Sequence, residues 1–131
     1  MTIDSNPAVI SKTKQEVFEF LNNLENHGQL MPPNIQDWKA DQTTCSFKIQ
    51  GMLELSLKKE ETGSIDKIRT VPNGKAPVEL DLEWNLTEVD GKTNAVFTIN
   101  AKLNPFLKMM AQKPLVELAN YQAAKLVDVM G

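Results

Sequence analysis

The sequence predicts an α+β fold, a curved antiparallel sheet of six to seven strands wrapped around one long C-terminal helix. Two observations carry it. Between about Ile35 and Leu103 apolar and polar residues alternate in segment after segment, the mark of strands with one greasy face. Beyond Leu103 the period changes, and apolar residues recur at helical spacing as far as Met130. The length of 131 residues suits one core without disulfide or metal support, so residues 1–131 are taken as a single domain.

Thr2 to Ile10 is a weak strand, and Pro7 demotes it to an edge or a bulge. Thr13 followed by Glu16 makes a capping box, and Val17, Phe18, Phe20, Leu21 and Leu24 then follow at helical spacing. Gly28 marks the end of this short amphipathic helix, and Pro32-Pro33 closes the helical region. Two short helices are therefore expected after the first strand.

Five strands follow. Cys45, Phe47 and Ile49 share one face, and after Gly51 so do Leu53, Leu55 and Leu57. Gly63 turns the chain into Ser64–Val71, where Ile65 and Ile68 are out of phase and a bulge is expected. Pro72-Asn73-Gly74-Lys75 is a turn signal. Val78, Leu80, Leu82, Trp84 and Leu86 give the cleanest alternation in the chain, against Glu79, Asp81, Glu83 and Asn85. Asp90-Gly91 is the strongest hairpin signal, leading into Ala95, Phe97, Ile99, Ala101 and Leu103. The result is an antiparallel meander, oily on one side and wet on the other.

Asn104 is a good N-cap and Pro105 a preferred first helical residue. Leu107, Ala111, Leu115, Leu118, Gln122, Leu126 and Val129 trace one stripe of the helix. Roughly 25 residues at about 1.5 Å each reach about 37 Å, enough to cross a small sheet. Pro114 lies inside this pattern, and its ring opposes the carbonyl of Met110, which predicts a kink. A kink there would lift 105–113 off the sheet and make that segment the mouth of a hollow.

The order of elements resembles the helix-grip fold of the START and polyketide-cyclase-like (SRPBCC, Bet v 1-like) superfamily, in particular its uncharacterised bacterial members. The resemblance spans essentially the whole chain. It is carried by Thr13-Lys14-Gln15-Glu16-Val17-Phe18-Glu19-Phe20-Leu21, by the Trp84 strand running through Asp90-Gly91, and by Leu30-Met31-Pro32, Cys45-Ser46-Phe47 and Asn104-Pro105-Phe106-Leu107-Lys108-Met109-Met110. It implies a pocket between sheet and helix and leaves its contents open, since members range from lipid carriers and hormone receptors to cyclases and co-chaperones.

Composition narrows the classes. Fourteen basic against seventeen acidic residues leave a net charge of −3, and no basic cluster exceeds Lys58-Lys59, so no nucleic-acid partner is expected. Cys45 is the only cysteine, which excludes an intrachain disulfide. The start lacks a basic stretch followed by an apolar run, and no apolar run approaches membrane-spanning length. A cytoplasmic protein without stable membrane insertion, monomeric or weakly dimeric, is expected.

Chemistry-bearing residues are few. His27 is the only histidine, so a histidine metal site has no second ligand, and it is read as a surface or capping residue. Cys45 on a strand's apolar face is read as buried and inert, although Cys45, His27 and Asp37 can be assembled on paper as a catalytic set. Glu79, Asp81, Glu83 and Glu88 fall on the wet face with Lys48, Lys58, Lys67, Arg69 and Lys102 as cross-strand partners, so neither metal nor cofactor is expected.

The cavity wall is assigned to Met31, Phe47, Leu55, Trp84, Phe97, Met109, Met110, Leu118, Tyr121 and Gln122. Methionines suit surfaces that accept varied apolar shapes, and Met52 is a further rim residue. Tyr121 and Gln122 are the polar groups expected to point inward. This pattern points to a non-catalytic binder of a small apolar or amphipathic molecule, lipid- or polyketide-like. The alternatives are a cyclase- or dehydratase-type enzyme and a co-chaperone-like protein binder contacting through Trp38 or exposed methionines. An apolar void of several hundred Å³ would favour a ligand, and a filled core beside a large exposed patch would favour a partner.

Overall fold

Eight antiparallel strands and one long helix make up the fold in the computed structural model, which describes residues 1–49, 53–74 and 78–131. The strands are β1 (Thr2–Asp4), β2 (Ala8–Ile10), β3 (Ile35–Ala40), β4 (Thr44–Ile49), β5 (Leu53–Glu60), β6 (Lys67–Pro72), β7 (Glu79–Val89) and β8 (Lys92–Lys102). Helix α1 (Lys14–Leu21) and a 3-10 helix (Leu24–Leu30) follow β2, and α2 (Pro105–Met130) ends the chain. The sheet order is β1-β8-β7-β6-β5-β4-β3, with β2 also paired to β8. The Gly51 turn, Met52 and Lys75 lie outside the described residues.

The sheet has eight strands, against six to seven expected, because two segments depart from simple alternation. The stretch from Thr2 to Ile10 divides at Ser5-Asn6-Pro7, where proline has no N–H to give a ladder. Ser5 holds the break against β8, its N–H donating to the Phe97 carbonyl at 2.8 Å while its Oγ accepts from the Phe97 N–H at 2.9 Å. Strand β3 falls within the stretch from Ile35 expected to be strand, but it lacks a clean alternation of its own. Its register with β4 shifts between Gln36 and Lys39, which breaks the period of two. Conversely, no bulge is needed at Ile65, because β6 begins only at Lys67 and Ile65 sits in the preceding turn.

Other local signals hold. Thr13 and Glu16 form both halves of the capping box at α1. Asp90 and Gly91 have φ of 53° and 76°, the left-handed pair of a tight two-residue hairpin, and join the long β7–β8 ladder from Glu79↔Lys102 to Val89↔Lys92. Asn104 caps α2 by accepting from the Leu107 N–H at 2.9 Å.

The core lies between the inner sheet face and α2, which packs on β8, β2, β1 and the 3-10 helix. Leu80, Leu82, Trp84 and Leu86 of β7 point inward together with Ala95, Phe97, Ile99 and Ala101 of β8. Ala111, Pro114, Leu115, Leu118, Ala119, Gln122, Ala123 and Leu126 form the buried face of α2. Leu107 is half-buried, and Val129 faces solvent instead of ending the stripe. Pro114 is accommodated inside an uninterrupted helix.

The wet face carries the acids as expected. Arg69 donates to Glu83 at 3.0 Å and to Asp81 at 3.2 Å, Lys67 pairs with Glu83 at 3.5 Å, and Lys102 pairs with Glu79 at 3.4 Å. Glu88 instead accepts from the Lys14 N–H at 2.6 Å, tying the start of α1 to β7.

Candidate functional site: a polar pair in the hollow

The turn from α1 into the 3-10 helix brings polar side chains to the core. The last carbonyls of α1 have no intrahelical donors, and two consecutive residues of the 3-10 helix supply them. Asn26 Nδ2 donates to the Phe20 carbonyl at 2.8 Å, and His27 Nε2 lies 2.8 Å from the Leu21 carbonyl oxygen. A carbonyl only accepts, so Nε2 carries the proton and Nδ1 is left as an acceptor. Burial pushes the imidazole down to about 4, with the Leu21 bond opposing in part, and His27 is therefore neutral at pH 7. It caps as expected, but it does so buried and not at the surface.

Above His27, between sheet and α2, lies a small interior cavity. It is lined by His27, Met31, Trp38, Cys45, Phe47, Ile68, Thr70, Leu82, Trp84, Phe97 and Gln122. Its free volume is about 10 Å³, room for a single water molecule. The hollow is thus nearly filled by its own side chains. Trp84 and Phe97 face each other with ring centroids 4.9 Å apart and planes at 50°, and Phe47 meets Trp38 at 5.7 Å.

Two polar atoms in this wall are buried without a partner among the described residues: Trp84 Nε1, a donor, and Gln122 Oε1, an acceptor. The other half of the Gln122 amide reaches only a thioether, Nε2 donating to Met31 Sδ at 3.6 Å. Thr70 adds a hydroxyl whose bond to the Leu82 carbonyl is long, at 3.5 Å. Burying an unpaired donor or acceptor costs about 1–3 kcal/mol each, so two around one cavity is a costly arrangement for a core built only to be stable. No carboxylate, lysine or arginine lines the cavity among the described residues. The site offers neutral hydrogen bonding inside an apolar shell.

Cys45 closes one side, its thiol pushed up to about 12 by burial and by the Asp41 charge, so it is no nucleophile at pH 7. Asp37 is exposed and pairs with Lys48 at 3.6 Å, so the paper set of Cys45, His27 and Asp37 is not assembled. Among the described residues no group of three His, Cys, Asp or Glu could hold a metal ion. No helix among them is long and apolar enough to cross a membrane.

A larger, open depression of about 680 Å³ lies on the outer face beside Arg69, Glu79, Asp81, Asn100 and Lys102. Its charges are spent on one another in the ion pairs already described, Met1, Val71, Pro72, Leu80 and Ala101 supply its apolar lining, and it is open to solvent.

Solved structures share this architecture over nearly their whole length. A START superfamily protein from Mycobacterium smegmatis superimposes with a TM-score of 0.65 at 10% identity, covering 98% of this chain and 98% of that one. The fold is that of the START superfamily. XoxI of Bacillus cereus matches with a TM-score of 0.73 at 9% identity, covering 98% of this chain and 94% of its own. A protein of Thermus thermophilus matches with a TM-score of 0.76 at 12% identity, covering 98% and 95%. No family model and no curated protein matches the sequence. At these identities the likeness fixes the fold alone.

Within this START-like frame, five of the ten assigned wall residues meet around the cavity: Met31, Phe47, Trp84, Phe97 and Gln122. Leu55 and Leu118 are buried elsewhere in the core. Three face outward. Met109 is 75% exposed, Met110 45% and Tyr121 37%, so α2 reaches the cavity through Gln122 alone. Met110 and Tyr121 point away because Ala111 and Gln122, one residue on, take the inward positions, and a helix turns by about 100° per residue. Met109 and Met110 therefore do not form a mouth to this cavity. His27, Trp38, Cys45, Ile68, Thr70 and Leu82 line it without having been assigned to it, and Cys45, Ile68, Thr70 and Leu82 were findable from strand parity alone.

Proposed function

We propose that the protein binds a small amphipathic molecule in the hollow between sheet and α2, without catalysis. The observation that supports this best is the unpartnered pair, Trp84 Nε1–H and Gln122 Oε1, on the wall of one interior cavity. A ligand group that both accepts and donates, such as a hydroxyl, would satisfy both atoms at once. The absence of charged side chains from the described wall favours a neutral group over a carboxylate. Since the free space is about 10 Å³, anything larger than water must displace a side chain. Met31 is the one to move: it is unbranched and half-buried at the edge of the core, and its only side-chain hydrogen bond among the described residues is a weak one to its thioether.

The test is a titration with 2-naphthol, followed by ¹H–¹⁵N NMR. The Trp84 indole N–H and the Gln122 side-chain amide resonances should shift and saturate together. If both stay fixed at millimolar 2-naphthol while backbone amides near Phe106 move, the interior is not the site.

Two observations favour a second reading, a protein-binding surface: the interior, at about 10 Å³, is filled rather than void, and an apolar patch is exposed. Phe106 is 65% exposed and adjoins Met109 and Met110 on the first turns of α2, an apolar patch on an otherwise polar half-helix.

A further inference from the structure

Of the residues that line the interior cavity, Met31 and Trp38 are the two that are only half-buried, while the others are buried, His27 and Cys45 least completely. These two side chains are therefore the most solvent-accessible part of its wall. Three features hold Trp38 in its place. Its indole lies against the Phe47 ring with centroids 5.7 Å apart. It also rests on the backbone of Gly28: a Cβ at that position would stand 2.6 Å from Trp38 Nε1 and 3.2 Å from Cδ1. Gly28 needs no left-handed backbone, unlike Gly63, Gly74 and Gly91, so its missing side chain serves the close approach and not a turn.

The third feature is strain. Asp37, next to Trp38, has φ of 55° in the middle of a strand, a left-handed conformation disfavoured for a residue with a Cβ. The β3 register shift falls between Gln36 and Lys39, so both Asp37 and Trp38 lie within the bulge. Bulges re-aim a side chain. Here the side chain aimed inward is the one that covers the cavity. β3 is also the last strand of the sheet, paired only with β4, so it has freedom that β7 and β8 lack.

We propose that the Trp38 indole is a lid, closed when it seats on Gly28 and Phe47, and that its swing away from Gly28 opens the interior cavity to solvent past Met31. The lid regulates the site proposed above and so rests on that reading. Its test uses no ligand, which lets either idea fail alone.

Cys45 is the only cysteine and lines the cavity, and solvent admitted by opening would let its buried thiol ionise. A rise in its rate of reaction with methyl methanethiosulfonate, a small neutral thiol reagent, over the parent rate therefore reports opening. The parent rate is the baseline because Cys45 also borders an outer depression. Gly28→Ala denies the indole its seat. In a Trp84→Phe background the remaining tryptophan emission should shift to the red on Gly28→Ala, and Cys45 labelling should speed up at least tenfold. Trp38→Ala, which removes the lid without touching Gly28, should speed labelling similarly. Met109→Ser should leave the rate unchanged. Stability of each variant is measured by urea unfolding, and the acceleration must exceed what any lost stability accounts for. A red shift with unaltered labelling would overturn the lid, as would acceleration that only tracks stability. Equal acceleration by Met109→Ser would place the opening at α2 and overturn it too.

Discussion

Trp84 and Phe97 are direct partners across the β7–β8 ladder, their rings 4.9 Å apart at 50°, and both are almost wholly buried. They form the floor of the cavity, so packing and polar recognition meet in one side chain. Truncation of Trp84 to alanine should cost about 3–5 kcal/mol. Trp84→Phe should cost clearly less, because it keeps an aromatic partner for Phe97 and removes an unpaired buried donor. Urea unfolding of the two variants checks the ordering, and equal losses would mean that the indole nitrogen already has a partner.

His27 gives a pH prediction. Its folded value of about 4 lies below the ordinary 6.5, so the folded state binds fewer protons than the unfolded chain in between. Stability from this group is complete above pH 6.5 and falls as pH drops toward 4, by about 3 kcal/mol in all. Below that both states are protonated and the group contributes no further slope. His27→Gln keeps a donor for the Leu21 carbonyl without a titrating ring. Its unfolding free energy should therefore be flatter than the parent's between pH 6.5 and 5, a range above most carboxylate titration. Parallel curves for parent and variant would show that His27 is accessible to protons in the fold.

The capping box offers a simpler check of α1. Thr13 Oγ1 accepts from the Glu16 N–H at 3.2 Å, and Glu16 Oε1 accepts from the Thr13 N–H at 3.3 Å. Thr13→Ala should cost about 1 kcal/mol by urea unfolding. Thr13→Ser should cost little, since the hydroxyl remains.

Much of this fold was legible because burial on one face imposes a period of two, and β4, β5, β7 and β8 keep it without interruption. Ile35–Ala40 was less so, since a bulge moves Trp38 out of phase, and the indole seats on Gly28, ten residues away, a contact no local pattern shows. The site divides the same way. Phe47, Trp84 and Phe97 follow from strand parity, and Gln122 from helical phase. Tyr121 and Met110 went wrong by one residue on a helix, where neighbouring positions point about 100° apart. No pattern in the chain announces that His27 reaches back to Leu21, because that contact depends on how the 3-10 helix docks on α1.

The last prediction concerns Gln122, the only α2 residue on the cavity wall. Its Oε1 is buried without a donor, and its Nε2 has only Met31 Sδ. Replacing it by methionine, close in length and shape, removes both polar burdens while filling similar space. Gln122→Met should therefore be as stable as the parent or more so, by up to about 1–2 kcal/mol. Binding should move the other way. The parent should prefer 2-naphthol over naphthalene by about tenfold, equivalent to about 1.4 kcal/mol, and Gln122→Met should lose most of that preference while still taking up the hydrocarbon. Gained stability paired with lost discrimination is the trade of a polar group retained for recognition. Calorimetric titration of both probes beside urea unfolding decides it. If Gln122→Met is destabilised by several kcal/mol and discriminates as the parent does, the glutamine is a structural bridge through a buried water, and the polar pair is not a recognition site.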